Sequence, residues 1–304
     1  MKSRFDLYLT IIVILFFCGF FSCTKSDYNE FISSDGTIVS SNHLMSLDYN
    51  LKPQPQGGDC FGDLFFQFSS DNKVVRVYDL TKRSLIQECV IDDINRGFVP
   101  NCHCNSVCFG ASYYTETDEF PLLYVSTGYA CGEYTGALVY RVLRKGGEFN
   151  FSLVQTLKFP QYGTASWTEF IPASDYCYVC YTSDDMVFKF QIPSVSEGDV
   201  VLSYSDAIES FHFSPQVECI SRSRNQDRFY FKKKIIFVSG VPSSGEPCLF
   251  VVLDLENEDY EFVFSLFDLG LKQEPESVFL WGDKICIAFI DEIVQLSFSP
   301  SLFS

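Results

Sequence analysis

Positive charge is scarce in this sequence. Its 304 residues include 22 Lys and Arg against 39 Asp and Glu, which gives a formal net charge of −17. The longest basic run is Lys232-Lys233-Lys234. Because a surface of this charge repels a phosphate backbone, the composition argues against nucleic acid as a partner.

Helical patterning is also missing. No long segment repeats apolar residues at i, i+3, i+4 and i+7, the spacing of an amphipathic helix. No GxSxG motif supports a serine hydrolase, and no DxDxDG loop supports a calcium site. No cofactor is predicted. With 47% hydrophobic and 17% aromatic residues, the chain is too apolar to be disordered and can bury a large core.

The sequence begins like a secretory signal peptide. Lys2 and Arg4 are followed by an apolar stretch from Leu7 to Phe21. The stretch is about 15 residues long, shorter than the roughly 20 residues that span a bilayer. The pattern predicts a removable signal peptide over residues 1–22.

The apolar stretch ends in Ser22-Cys23. A small residue just before a Cys resembles the lipobox of bacterial lipoproteins, with Phe20 departing from the Leu that the family prefers. The resemblance implies cleavage before Cys23 and acyl chains, such as palmitate, on that residue. The protein would then be anchored in the outer membrane, on its periplasmic or surface face, with residues 23–36 as a tether. An uncleaved anchor and a plain secretory signal are the alternatives.

The remaining chain predicts an all-β fold. Short runs rich in Phe, Tyr, Val and Ile are bounded by Gly, Asp, Asn, Ser and Pro. Thirteen such strand candidates cover residues 63–70, 73–80, 84–91, 121–128, 137–143, 151–159, 176–182, 186–193, 234–240, 248–255, 260–267, 284–290 and 292–298. Many are apolar on both faces, as strands between neighbouring sheets are.

The runs repeat in five units, each with a polar lead-in followed by three strands. The lead-ins cover residues 55–62, 103–110, 165–172, 214–221 and 273–280. Their spacing of roughly 50 residues is typical of four-stranded β-propeller blades. Because the last unit supplies only three strands, we expect the segment 37–50 to close the ring as its outer strand. Residues 37–304 would form one propeller domain, with six blades or a β-sandwich as alternatives.

The lead-ins HCNSVCFG (103–110) and QEPESVFL (273–280), together with the lipobox, resemble small β-propeller lipoproteins of gut Bacteroidetes. The resemblance extends over the whole chain after the signal peptide. It implies a fold more than an activity.

The 13 cysteines are mostly explained as small buried hydrophobes inside strands. Cys177 and Cys180 form a CxxC motif, but strand alternation places the two thiols on opposite faces. Cys102, Cys104 and Cys108 have no second pair to complete four zinc ligands, so no metal site is predicted.

One or two disulfides are expected, with Cys102 or Cys104 to Cys131 as the candidate pairing. The alternative is that these thiols remain unpaired. An envelope location would permit such a bond.

Polar side chains in the lead-ins mark the candidate site, because the innermost strands of a propeller begin near one mouth of its central channel. The predicted site residues are Gln56, Asp59, His103, Asn105, Trp167, Glu169, Gln216, Gln273, Glu274 and Glu276. Gly57-Gly58 is interpreted as a tight turn. Polar residues that merely satisfy inner-strand backbone groups are the structural alternative.

Three functions are compatible with this pattern. The first is a membrane-anchored, non-enzymatic propeller that binds a small ligand, glycan or protein partner at the channel mouth. The second is a carbohydrate-active hydrolase or lyase, in which Asp59, Glu169 and Glu276 would supply channel carboxylates. The third is a structural subunit of an envelope complex.

Overall fold

The computed structural model describes residues 38–48, 52–91, 103–131, 134–160, 168–181, 186–213 and 224–298. The predicted signal peptide, Cys23 and the tether therefore lie outside the described residues. Within these ranges the strands are β1 Ile38–Ser46, β2 Pro55–Phe61, β3 Leu64–Ser69, β4 Val74–Asp79, β5 Ser84–Val90, β6 Cys104–Phe109, β7 Leu123–Cys131, β8 Tyr134–Lys145, β9 Glu148–Pro160, β10 Thr168–Ala173, β11 Tyr176–Tyr181, β12 Met186–Gln191, β13 Val200–Val201, β14 Glu209–His212, β15 Asn225–Phe231, β16 Lys234–Ser239, β17 Leu249–Asp254, β18 Asp259–Ser265, β19 Pro275–Trp281, β20 Lys284–Phe289 and β21 Glu292–Phe298.

Helix is limited, in the described residues, to four short 3₁₀ segments: Val195–Glu197, Tyr204–Asp206, Pro242–Ser244 and Leu266–Leu269. None of these segments has the length and apolar character of a membrane span.

The strands form five sheets, which are the blades of a β-propeller. Blade 1 contains β2 to β5, blade 2 contains β6 to β9 with β13, and blade 3 contains β10 to β12 with β14. Blade 4 contains β15 to β18, and blade 5 contains β19 to β21 with β1. Blade 2 differs from the expected four strands, because Val200–Val201 adds in parallel to the outer edge of β9. This short strand pairs backbone groups that an edge strand would otherwise leave exposed.

The N-terminal strand closes the ring as the sequence predicts. β1 pairs antiparallel with β21, with Asn42 opposite Gln295. It supplies the outer strand of blade 5, whose inner strand is β19. The five-blade fold is therefore confirmed, and the six-blade and sandwich alternatives are not adopted.

The core consists of five apolar clusters, one between each pair of neighbouring blades. The cluster between blades 5 and 1 includes Phe65 and Phe279, whose rings stack with centroids 4.4 Å apart. Leu44 and Met45 of β1 belong to the same cluster. Burial of both faces of each blade explains why so many strands are apolar throughout.

Two local predictions are wrong. The sequence places the fourth lead-in at residues 214–221, which lie outside the described residues, but the inner strand of blade 4 is β15, Asn225–Phe231. The pair Gly57-Gly58 lies within β2 instead of forming a turn. A Cβ atom on Gly57 would lie 2.6 Å from the backbone oxygen of Asn105, so glycine is needed because two inner strands approach closely here.

Seven of the cysteines whose side chains the structure describes are buried, and Cys60 is partly exposed. Cys177 packs between blades 2 and 3, whereas Cys180 packs between blades 3 and 4, so the thiols of the CxxC motif lie on opposite faces as predicted. Cys104 is a free, buried thiol, which excludes its disulfide with Cys131. The physical reason is the register, which places Thr127 opposite Cys104. Cys102 lies outside the described residues.

Candidate functional site

One structurally equivalent position recurs in all five blades. The second residue of every inner strand is polar and almost fully buried, with exposed fractions between 0% and 7%. We call these five residues the channel ring: Gln56, Asn105, Glu169, Gln226 and Glu276. Since the inner strands surround the propeller axis, the ring gathers five hydrogen-bonding side chains at the end of the channel where these strands begin.

Amide and carboxylate groups pair between blades in the ring. Gln56 Nε2 donates to Glu276 Oε2 at 2.6 Å, joining blades 1 and 5. Asn105 Nδ2 donates to Glu169 Oε1 at 2.6 Å, joining blades 2 and 3. A donor–acceptor distance of 2.6 Å is short for an N–H···O hydrogen bond. The side-chain nitrogens of Gln56 and Asn105 thus both donate to carboxylates of neighbouring blades.

Gln226 makes the same kind of bond to a residue just outside the ring. Its Nε2 donates to Glu274 Oε1 at 2.7 Å, which joins blades 4 and 5. Glu274 precedes β19 and is half-buried, so it lies at the rim of the channel end.

Several amide oxygens at this end accept no hydrogen bond in the structure. These are Gln56 Oε1, Asn105 Oδ1 and Asn225 Oδ1, the last on the residue before Gln226. Asn225 is linked to the ring through its backbone oxygen, which accepts from Asn105 Nδ2 at 3.2 Å. Leaving a buried acceptor unpaired costs about 1–3 kcal/mol. The channel end therefore has unused capacity to accept hydrogen bonds.

Asp227 occupies the channel directly beyond the ring. Its Oδ1 accepts from the backbone of Val107 at 3.3 Å and of Arg228 at 2.8 Å. Its Oδ2 accepts from the backbone of Gly58 at 3.4 Å and of Val278 at 3.3 Å. One fully buried carboxyl group thus joins the inner strands of blades 1, 2, 4 and 5.

Arg228 brings a positive charge to the same region. Its guanidinium forms a buried ion pair with Glu169 and lies over the ring of Phe237, 4.5 Å from the centroid. Burial lowers the pKa of Arg228 to about 10, so it is still charged at neutral pH. Because Glu169 takes up this charge, Arg228 does not neutralise the other carboxyl groups nearby.

Burial shifts the protonation of those carboxyl groups. It raises the pKa of Glu276 well above its usual value, and the neighbouring charges of Glu274 and Asp227 add to the effect. Burial likewise raises the pKa of Asp227 and, less strongly, of Glu274. Desolvation disfavours the charged form of each group, so a positive charge brought close would favour it.

Asp59 does not belong to this ring, although it was predicted to. It lies three residues beyond Gln56 in β2, about 10 Å along the strand. Its carboxylate accepts from the backbone of Cys60 and of Phe109, both at 2.7 Å. Burial raises the pKa of Asp59 to about 6. Asp59 therefore links blades 1 and 2 further along the channel.

Most of the other predicted site residues lie at or next to the ring. Gln56, Asn105, Glu169 and Glu276 are ring members, and Glu274 is bonded to it. His103 immediately precedes β6, and burial lowers the pKa of its side chain. Gln273 lies two residues before β19. Trp167 and Gln216 lie outside the described residues.

Sequence reasoning missed Asn225, Gln226, Asp227 and Arg228, since their polarity resembles a loop. A usable signal exists. In blades 1, 4 and 5 a seven-residue inner strand is followed by a two-residue turn and a six-residue strand. The turn is Gly62-Asp63 or Gly282-Asp283 in two blades, but Lys232-Lys233 with positive φ in blade 4. Lysine is an uncommon residue in such turns, so the similarity of blade 4 to blades 1 and 5 is hard to see in the sequence.

Among the described residues, no group of three or more His, Cys, Asp and Glu side chains is arranged to hold a metal ion.

Comparison with known proteins gives a fold and no family. No protein-family model and no curated protein matches the sequence. Among solved structures, glutaminyl cyclase from Myxococcus xanthus is similar with a TM-score of 0.52 and 8% identity, over 87% of this chain and 96% of that chain. The β-propeller domain of Cps50 (Swd1) from Myceliophteria thermophila has a TM-score of 0.43 and 9% identity, over 86% of this chain and 100% of that chain. At these identities the likeness concerns the fold alone.

Proposed function

We propose that this protein is a lipid-anchored envelope protein whose propeller binds a small ligand at the channel ring without catalysing a reaction. The observation that carries the proposal is the recurrence of a buried polar side chain at the second position of all five inner strands. A buried polar atom without a hydrogen-bond partner lowers the stability of the fold. A ligand that binds at such an atom can supply the missing partner.

The structural alternative is that the ring only holds the blades together. Amide–carboxylate bonds between blades serve that purpose. They do not explain the oxygens of Gln56, Asn105 and Asn225, which remain unpaired after those bonds are made. A ligand at this end would supply their donors.

A carboxylate-based hydrolase or lyase is the weaker candidate. Glycosidases need two carboxyl groups facing a common space, separated by roughly 5–10 Å. Glu169 is engaged by Asn105 and Arg228, and Glu276 by Gln56. Asp59 bonds backbone groups further along the channel. The fold is similar to that of a glutaminyl cyclase, but this similarity assigns a catalytic role to no residue of this chain.

Ligand binding is tested by thermal unfolding of the protein against a panel of neutral sugars, amino acids and small amines. We expect at least one member to raise the unfolding temperature. Gln56→Leu should abolish that shift, whereas Gln191→Leu, a change of the same type on an exposed outer position, should not. A panel without any stabilising member would contradict the proposal.

The anchor is a separate part of the proposal, supported by the apolar stretch that ends in Ser22-Cys23. Metabolic labelling with a palmitate analogue should mark the wild-type protein. Cys23→Ser should lose the label, and Cys18→Ser should process and label like the wild type. Equal labelling of Cys23→Ser and the wild type would refute the lipoprotein assignment.

A further inference from the structure

We propose that the ligand of the channel ring carries a protonated amino group, which the free oxygens of Gln56, Asn105 and Asn225 accept. This inference rests on the proposed function and names the chemical class of its ligand.

Hydrogen-bond complementarity is the first argument. The amide nitrogens of Gln56, Asn105 and Gln226 already donate to carboxylates. Among the described residues at this end, the buried oxygens without a partner are those of the three amides and the hydroxyl of Thr168, all of which can accept a hydrogen bond. A protonated primary amine has three N–H donors and no acceptor, which matches these acceptor oxygens in kind.

Buried position is the second argument. The exposed fraction is 7% for Gln56 and 1% for Asn105. Both amide groups are fixed by bonds of 2.6 Å to carboxylates of neighbouring blades. Their free oxygens are therefore held in place, and binding does not have to order them.

Charge is the third argument. Glu274 and Glu276 lie at this end, and Asp227 lies directly beyond it. The positive charge of Arg228 is taken up by Glu169. A cationic group brought close favours the charged form of these carboxyl groups and is attracted to it, whereas an anionic ligand disfavours that form.

An organic amine is favoured over a metal ion. Amide and carboxylate oxygens are suitable calcium ligands, but a calcium site needs six to eight of them around one point. The described residues contain no converging group of three metal-binding acidic, His or Cys side chains. The carboxylates of the ring are instead separated by the amides to which they are bonded.

The test is titration calorimetry on the full-length protein with three probes: 1,4-diaminobutane, 1,4-butanediol and calcium chloride. The diol has the length of the diamine but lacks its charge and its ammonium donors. A salt concentration of roughly 0.15 M screens weak attraction to the acidic surface. We expect saturable binding of the diamine and none of the diol or of calcium.

Two variants place the binding in the ring. Glu274→Gln, at the half-buried rim, should weaken diamine binding roughly fivefold, as expected for loss of one partly exposed ion pair. Gln56→Leu should abolish it. Glu209→Gln removes an exposed carboxylate from the outer strand β14 of blade 3 and should leave the affinity unchanged. Because Glu274 packs less tightly than Gln56, its variant remains informative if Gln56→Leu does not fold.

The outcomes separate the inference from the proposed function. Equal binding of diol and diamine, or saturable binding of calcium alone, overturns the amine assignment. So does diamine binding that Glu274→Gln and Gln56→Leu leave unchanged. If the diamine fails while a neutral sugar stabilises the protein, the proposed function stands and this inference is wrong. If nothing binds, both are wrong.

Discussion

Replacing Asp227 should destabilise the propeller more than any exposed charge does, because this carboxyl group joins four inner strands. Asp227→Ala removes the acceptor of four backbone N–H groups: that of Arg228 within β15, and those of Gly58, Val107 and Val278 on three other blades, which are bonded at 3.3 to 3.4 Å. A buried donor left unpaired costs about 1–3 kcal/mol. Since these three bonds are long, at 3.3 to 3.4 Å, the lower value applies to each. Together with the 2.8 Å bond from Arg228, the expected decrease in the free energy of unfolding is therefore about 4 kcal/mol.

Urea unfolding followed by intrinsic fluorescence measures this decrease. The control is Glu209→Ala, which removes an exposed ion pair with Lys189 and should cost less than about 1 kcal/mol. Asp227→Asn retains one acceptor oxygen and should lie between the two. If Asp227→Ala were no more destabilising than the control, the carboxyl group would not join the blades and the reasoning would fail.

Three further predictions concern pH, ring closure and the thiols. Burial raises the pKa of Asp59 to about 6, so the native state binds this proton more tightly than the unfolded chain does. The free energy of unfolding should therefore fall as pH rises from about 4 to about 6, by about 3 kcal/mol at most. Asp59→Asn should flatten that part of the pH profile, measured by urea unfolding. Leu44→Ala should lower the free energy of unfolding by about 3 kcal/mol, because it leaves a cavity in the core between β1 and blade 1. Ile86→Ala changes a residue that is 44% exposed and should have little effect in the same assay. Cys104 and Cys180 are buried thiols whose pKa values burial raises, so a thiol reagent should label them in the native state only at the rate of unfolding; rapid labelling, measured by mass spectrometry, would contradict their placement.

The sequence predicts the outer three strands of four blades, because β-branched and aromatic residues mark them locally. In blade 3 it misses the outer strand β14, Glu209–His212, which none of the predicted runs covers. The run 292–298 coincides with β21, and the closing strand follows from counting three strands in the last unit. These features depend on local composition and on the need to close the ring.

The inner strands are harder to predict, because tertiary contacts determine their residues. Asp227 and Arg228 are buried residues of β15. Their charge alone would assign this segment to an exposed loop. Charged side chains are tolerated there only because Glu169 and the backbone of three other blades provide partners. Such partners lie about 50 to 170 residues away in the sequence and are not visible in any local pattern.

The same reasoning explains why the site was found in part. Gln56, Asn105, Glu169 and Glu276 were identified as polar residues at the start of a repeating unit. Their equivalence as second residues of inner strands needed the observed strand boundaries. The amide oxygens of Gln56 and Asn105 are unpaired because each amide nitrogen bonds to a carboxylate of another blade. Which nitrogen bonds to which carboxylate is determined by the positions of the blades around the ring.

The most direct test of the account is a crystal structure of the protein grown with 1,4-diaminobutane. The account predicts an amine nitrogen at the channel ring, roughly 3 Å from Gln56 Oε1 and Asn105 Oδ1. Diamine found only on the outer surface of the blades, with the ring oxygens bonded to water alone, would contradict it.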